Sequence, residues 1–291
     1  MVENRIEFHR DAELFRAALT FTAAKTGFSE RLIEKDYYCS VALADICASD
    51  ATEIVFKGGT CLSKVHADFF RLSEDLDFSL STPVDATRIQ RSRRLDNFKH
   101  YFEAIPERID CLRIDQALRG FNNSIQYGAR LAYRSIISGQ DDFLKVEVSV
   151  REPIVERHAM LPARTMLLNP FRAAAAIKPF AVRVLSLREA YAEKLRAALS
   201  RREPAIRDFF DLNHAFLVGT ISETDPMLIQ LLNNKLAIPG NEPVDVSDKK
   251  LTLLKAKLDT DLRPVIRDKD FHQFDLERVF RRITDFAAML Q

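Results

Sequence analysis

Residues 53–80 read EIVFKGGTCLSKVHADFFRLSEDLDFSL, and this stretch decides the reading of the chain. The apolar run Ile54–Phe56 predicts a strand that ends in the turn Gly58-Gly59. Leu62, Val65 and Phe69 are spaced for one buried face of a following helix. Asp75-Leu76-Asp77-Phe78 then predicts a second strand. Side chains alternate along a strand, so Asp75 and Asp77 share one face while Leu76, Phe78 and Leu80 pack on the other. One helix and a short turn separate the glycines from the aspartates, which returns both to the same sheet edge. Backbone N–H groups at a helix start favour phosphate, and paired carboxylates favour a hard cation. The combination suits a metal-held nucleoside triphosphate.

Outward from this stretch, residues 1–50 predict helices. Leu14, Ala18 and Phe21 recur at helical spacing, and Ser29 is placed to cap a second helix. Residues 86–120, rich in arginine, predict helix on helix. Gln126–Ile137 and Phe143–Val150 predict paired strands. In the second, Val146, Val148 and Val150 form one face, with Lys145, Glu147 and Ser149 on the other. Glu147 is thereby a candidate third acid beside Asp75 and Asp77, able to hold metal or activate a hydroxyl. The Pro-containing stretch 153–179 predicts a connector. Ser186-Leu187-Arg188-Glu189 is a capping box, and the chain beyond it predicts helices, ending in an amphipathic one from Leu276 to Leu290. The expected division is an α/β (α+β) domain over residues 1–165 and a helical domain over 166–291.

The 291 residues carry 43 basic and 42 acidic side chains, so any nucleic-acid surface must be a local patch. Arg183, Arg188, Arg196, Arg201 and Arg202 supply one candidate. Cys39, Cys47, Cys61 and Cys111 have no CxxC spacing and predict reduced core thiols. No apolar run approaches a membrane span, and a cytoplasmic location is expected. No HExxH, P-loop or Ser/His/Asp pattern is present. Further candidates are Lys64 after the glycine turn, Lys194 within the apolar stripe of its helix, and Asp208 and Asp211, neighbours on one helix face. The plain alternatives are snorkelling lysines and an internal ion pair.

Together these residues resemble the AbiEii/AbiGii nucleotidyltransferase toxins of the polymerase-β-like superfamily. Glu34-Lys35-Asp36-Tyr37-Tyr38 is similar to the family's EKDYW-type segment, and Phe56–Lys64 to its GG[ST]-x-L-x-K motif. Arg71–Phe78 matches R-x-S-x-D-x-D-F, while Lys194 and Arg207-Asp208-x-x-Asp211 resemble two later, shorter motifs. The resemblance implies a nucleotidyltransferase fold with a helical C-terminal domain. It also implies Mg²⁺- or Mn²⁺-dependent transfer from an NTP to an RNA acceptor, the tRNA 3′ end, which would block translation. A cognate antitoxin and a role in phage defence are implied as well. Carried over singly, Asp75 and Asp77, with Glu147 as third acid, would hold metal. Gly58, Gly59 and Thr60 would cradle the triphosphate, with Lys64, Ser73, Arg207 and Asp211 near it. Lys194 would contact phosphate and Asp208 would complete the site. A small-molecule or protein acceptor and a non-catalytic nucleotide-binding regulator are the alternatives.

Overall fold

The computed structural model describes residues 8–49 and 53–290, and the chain divides into two compact units, Met1–Leu185 and Ser186–Gln291. That junction falls later in the chain than the expected one at 165/166.

The first unit opens with α1 (Ala12–Thr26) and α2 (Glu30–Ile46). Asp11 caps α1, and the Ser29 hydroxyl accepts from the Leu32 N–H, as the sequence predicts for α2. Strand β1 (Val55–Lys57) runs into α3 (Gly58–Cys61), whose helical path continues as a π-turn, Leu62–His66. The helix ends earlier than expected, because Asp68 and Phe69 turn left-handed. Strand β2 (Asp75–Ser79) follows, then the short helices α4 (Arg88–Arg94), α5 (Asp96–Glu103) and α6 (Ile105–Arg108).

Strands β3 (Arg113–Phe121), β4 (Gln126–Arg134), β5 (Asp141–Ser149), β6 (Ala159–Ala163) and β7 (Phe180–Val184) complete one sheet of order β3-β4-β5-β2-β1-β7-β6. The β4–β5 pair was expected. Strand β3 replaces the end of the helical run expected over 86–120. It is an edge strand of mostly exposed residues, so it lacks the apolar alternation that marks a half-buried strand. Strands β6 and β7 lie in and after the expected connector. They are short, and Pro162 is tolerated on an edge strand. β2 runs parallel to β5 and antiparallel to β1. Leu76, Phe78, Val146, Val148, Tyr127 and Leu131 are buried on the sheet face that carries the core.

The second unit is helical: α7 (Leu187–Ser200), α8 (Ile206–Leu217), α9 (Pro226–Leu236), α10 (Asp248–Ala256), α11 (Asp268–Gln273) and α12 (Leu276–Ala288). The Ser186 hydroxyl accepts from the Glu189 N–H at the start of α7, as predicted. α12 buries Leu276, Val279, Phe280, Ile283 and Phe286 of the expected stripe and ends at Ala288, before Leu290, with Phe280 stacked on Phe209 of α8. Among the described residues no helix is long and apolar enough to cross a membrane.

Candidate active site

Strand register builds the acidic face. Asp75 pairs with Lys145 and Asp77 with Glu147 across the parallel β2–β5 ladder. Paired residues project to one side, so Asp75, Asp77, Lys145 and Glu147 share the face opposite the core. The carboxylates are half-buried. The Lys145 ammonium lies 2.5 Å from the Glu147 carboxylate. Burial alone would lower the Lys145 pKa. The hydrogen bond and charge of Glu147, reinforced by Asp75 and Asp77, raise it instead. The same lysine therefore senses all three acids. Sequence reasoning placed Lys145 on this face and gave it no role.

The glycine turn lies against these acids. Gly58 has φ +76°, and a Cβ there would strike the Asp77 carboxylate. A Cβ on Gly59 would stand 3.0 Å from the Ser73 hydroxyl and would also strike the Arg71 guanidinium. Glycine is required twice, once for its dihedral and once for closeness. The backbone between Lys57 and Thr60 thus opens toward Asp77, Arg71 and Ser73. Lys57 stands opposite Asp77 in the β1–β2 register and adds a cation to this face. The Thr60 hydroxyl donates to the Asp75 carbonyl at 2.5 Å, tying turn to strand.

Lys64 departs from the expected role at a triphosphate. It is fully buried, and its ammonium donates to the Asp36 carboxylate at 2.6 Å, the Ser40 hydroxyl at 2.6 Å and the Asp36 carbonyl at 3.1 Å. One turn beyond Thr60 the side chain points into the core, where Asp36 of α2 is its counter-ion. Asp36 also accepts from the Met166 N–H at 2.9 Å. The Glu34–Tyr38 segment becomes intelligible as a hub. Glu34 accepts from the Ser135 hydroxyl and the Ile136 N–H, each at 2.6 Å. Lys35 meets Glu74 at 3.2 Å, and Tyr38 stacks on Tyr133 at 4.0 Å between ring centres.

In the second unit, Lys194 does not snorkel. Its ammonium sits 2.7 Å from Asp208 and 2.8 Å from Asp211, and Arg201 reaches Asp208 at 3.1 Å. Asp211 is fully buried, so its carboxylate holds Lys194 and is not presented to a ligand. Arg207 lines a recess of about 530 Å³ together with Arg201, Arg202 and Lys257, at the start of α8.

The four cysteines are free. Burial pushes the Cys39, Cys47 and Cys111 thiols up to about 12 and raises Cys61 well above its usual range, consistent with unreactive thiols. Among the described residues His9, Asp110 and Cys111 bring ligand atoms within 4.8 Å of one another, a mixed soft set remote in kind from the all-oxygen donors of Asp75, Asp77 and Glu147.

The sequence profile of the AbiEii nucleotidyl transferase toxins of type IV toxin–antitoxin systems matches residues 41–290. The chain belongs to this family. Membership makes it a nucleotidyltransferase and implies an NTP substrate and an antitoxin partner. The Glu34–Tyr38 segment precedes the matched range. Two Helicobacter pylori structures share the fold. One, described as a candidate nucleotidyltransferase, is 17% identical with a TM-score of 0.50, covering 87% of this chain and 92% of its own. The other, JHP933, is 19% identical with a TM-score of 0.51, covering 90% and 92%. No curated protein matches the AbiEii chain in sequence.

Proposed function

We propose that this AbiEii protein transfers a nucleotide from an NTP to an RNA acceptor, the tRNA 3′ end, and so blocks translation. The observation that carries this reading is the register of Asp75, Asp77 and Glu147 on one face beside the Gly58–Gly59 turn. Asp75, Asp77 and Glu147 offer hard oxygen donors and would hold Mg²⁺ or Mn²⁺. Such an ion, when bound, neutralises charge on the triphosphate and on the attacking oxygen. The backbone N–H groups of the glycine turn bind phosphate oxygens, and Lys57 and Arg71 add positive charge. The acceptor hydroxyl oxygen attacks the α-phosphorus. A new P–O bond forms, the α–β bridging bond breaks, and pyrophosphate leaves. Glu147 takes the hydroxyl proton, and Lys145 must first release that carboxylate. Lys194 and Asp208 remain assigned to phosphate contact and site completion by family resemblance. A cytoplasmic location and a phage-defence role follow from the same resemblance.

The test incubates the protein with a divalent cation, each labelled NTP in turn, and total cellular RNA. Label on a tRNA-sized band supports the reading. Label confined to a small molecule overturns the RNA acceptor. Glu147→Gln should lower kcat by about 10²–10⁴-fold, the range of a general base, with little change in the KM for NTP. An unchanged kcat would leave Glu147 as an outward-facing strand residue.

Ser73 is almost buried, with its hydroxyl against Gly59. Negative charge there would oppose both the triphosphate and the aspartates. Ser73→Asp should reduce transfer roughly a hundredfold, as juxtaposed like charges imply, while Ser73→Ala retains most of it. Full activity in Ser73→Asp would refute this placement.

A further inference from the structure

The acidic face continues past Glu147 onto β4 and β3, where the reading above assigns nothing. Gly128 stands opposite Glu147 in the β4–β5 register, and Arg119 stands opposite Gly128 in the β3–β4 register. With no side chain at Gly128, the Phe121 ring lies over the strand. A Cβ there would be 3.1 Å from the ring edge. Phe121 is nonetheless 39% exposed, and the register through Gln126 and Ser149 puts it on the sheet face that carries Glu147. The β3–β4 tip follows Phe121 directly. Asn122, Asn123 and Ser124 are all left-handed, with φ of 49°, 54° and 57°, and the Asn122 amide donates to Gln126 at 2.8 Å. Three consecutive non-glycine residues in that region form a costly turn, which the surrounding structure must support. Arg119, Arg130 and Lys145 share this face by register; Arg130 is paired with Asp115 and Lys145 with Glu147, and Arg119 is the exposed cation nearest the ring in register.

The order of the sheet says what this ring would meet. The glycine turn ends β1, the carboxylates lie on β2 and β5, and Gly128 and Phe121 lie on β4 and β3. In phosphoryl transfer the attacking and leaving oxygens are roughly in line across phosphorus. Pyrophosphate leaving toward the β1 side therefore requires the acceptor to arrive from the β4 side. Neighbouring strands are about 5 Å apart, so a ring lying over β4 is within one nucleoside of Glu147. We infer that Phe121, seated over Gly128, is the stacking platform for the terminal base of the RNA acceptor, with Arg119 facing its phosphates. This rests on the nucleotidyl-transfer reading, and Phe121 acts as a positioning residue.

The protein contains no tryptophan, so Phe121→Trp introduces a sole tryptophan at the platform, excited selectively over the tyrosines. Unfractionated tRNA is the probe, titrated against the Trp variant and used as acceptor for the parent, Phe121→Ala and Phe121→Trp. Phe121→Ala should raise the KM for tRNA about tenfold or more, the loss of one base stack, and leave the KM for NTP unchanged. Phe121→Trp should restore transfer, and tRNA should quench its emission. Phe171→Ala, at an 84% exposed ring, should behave as the parent. Parental kinetics in Phe121→Ala, or Trp emission indifferent to tRNA, overturns the platform. A parent protein that labels no RNA overturns the transfer reading itself, and the platform with it.

Discussion

Asp77→Asn should abolish nucleotide transfer, lowering kcat by on the order of a thousandfold or more, while the folded protein survives. The aspartate faces Glu147 in register and lies against the Gly58 backbone, so it stands where the triphosphate and the acidic face meet. Losing its charge removes several kcal/mol of transition-state stabilisation, and each 1.36 kcal/mol is a factor of ten. The substitution is isosteric and half-buried, so the thermal midpoint should stay within about 2–4 °C of the parent, the shift that 1 kcal/mol causes in a domain of this size. Transfer of labelled NTP and a thermal melt on one preparation check both parts. Activity within tenfold of the parent would remove Asp77 from the chemistry.

Lys64→Met should produce the opposite pattern. It strands Asp36, 2% exposed, without its cation. Breaking one side of a buried pair costs about 3–5 kcal/mol. The thermal midpoint should therefore fall by roughly 10 °C. Replacing both partners with apolar residues of similar volume, as in Asp36→Leu with Lys64→Met, should recover much of the loss, because no unpaired charge remains. A Lys64→Met protein with an unshifted midpoint and a raised KM for NTP would restore the phosphate role expected from the motif alone.

These two residues mark how far the sequence can be read. The Asp75 and Asp77 pair was legible because strand alternation is a local rule: two acids two residues apart share a face once their strand forms, and the same rule sets Glu147 opposite the valines of its own strand. Gly58 and Gly59 were legible because a turn between strand and helix needs them, and the left-handed Gly58 bears this out. Lys64 was misread because its spacing from the glycine turn says nothing about direction. Its counter-ion comes from α2, distant in sequence. Lys194 sits in an apolar stripe and looks like a snorkelling side chain until α7 and α8 pack and bring Asp208 and Asp211 to it.

The sequence by itself determined the paired strands, the cap of α7, the amphipathic α12, the acidic pair and the glycine turn. Each follows from side-chain period or backbone preference within a dozen or so residues. Only the tertiary structure decided that β2 and β5 run side by side in a register setting Glu147 against Asp77, that β3 is a strand, and that Phe121 lies on Gly128. Strand pairing and the choice of buried counter-ion depend on which distant segments meet. Loop closure grows costlier only slowly with chain length, so local sequence carries little record of the choice.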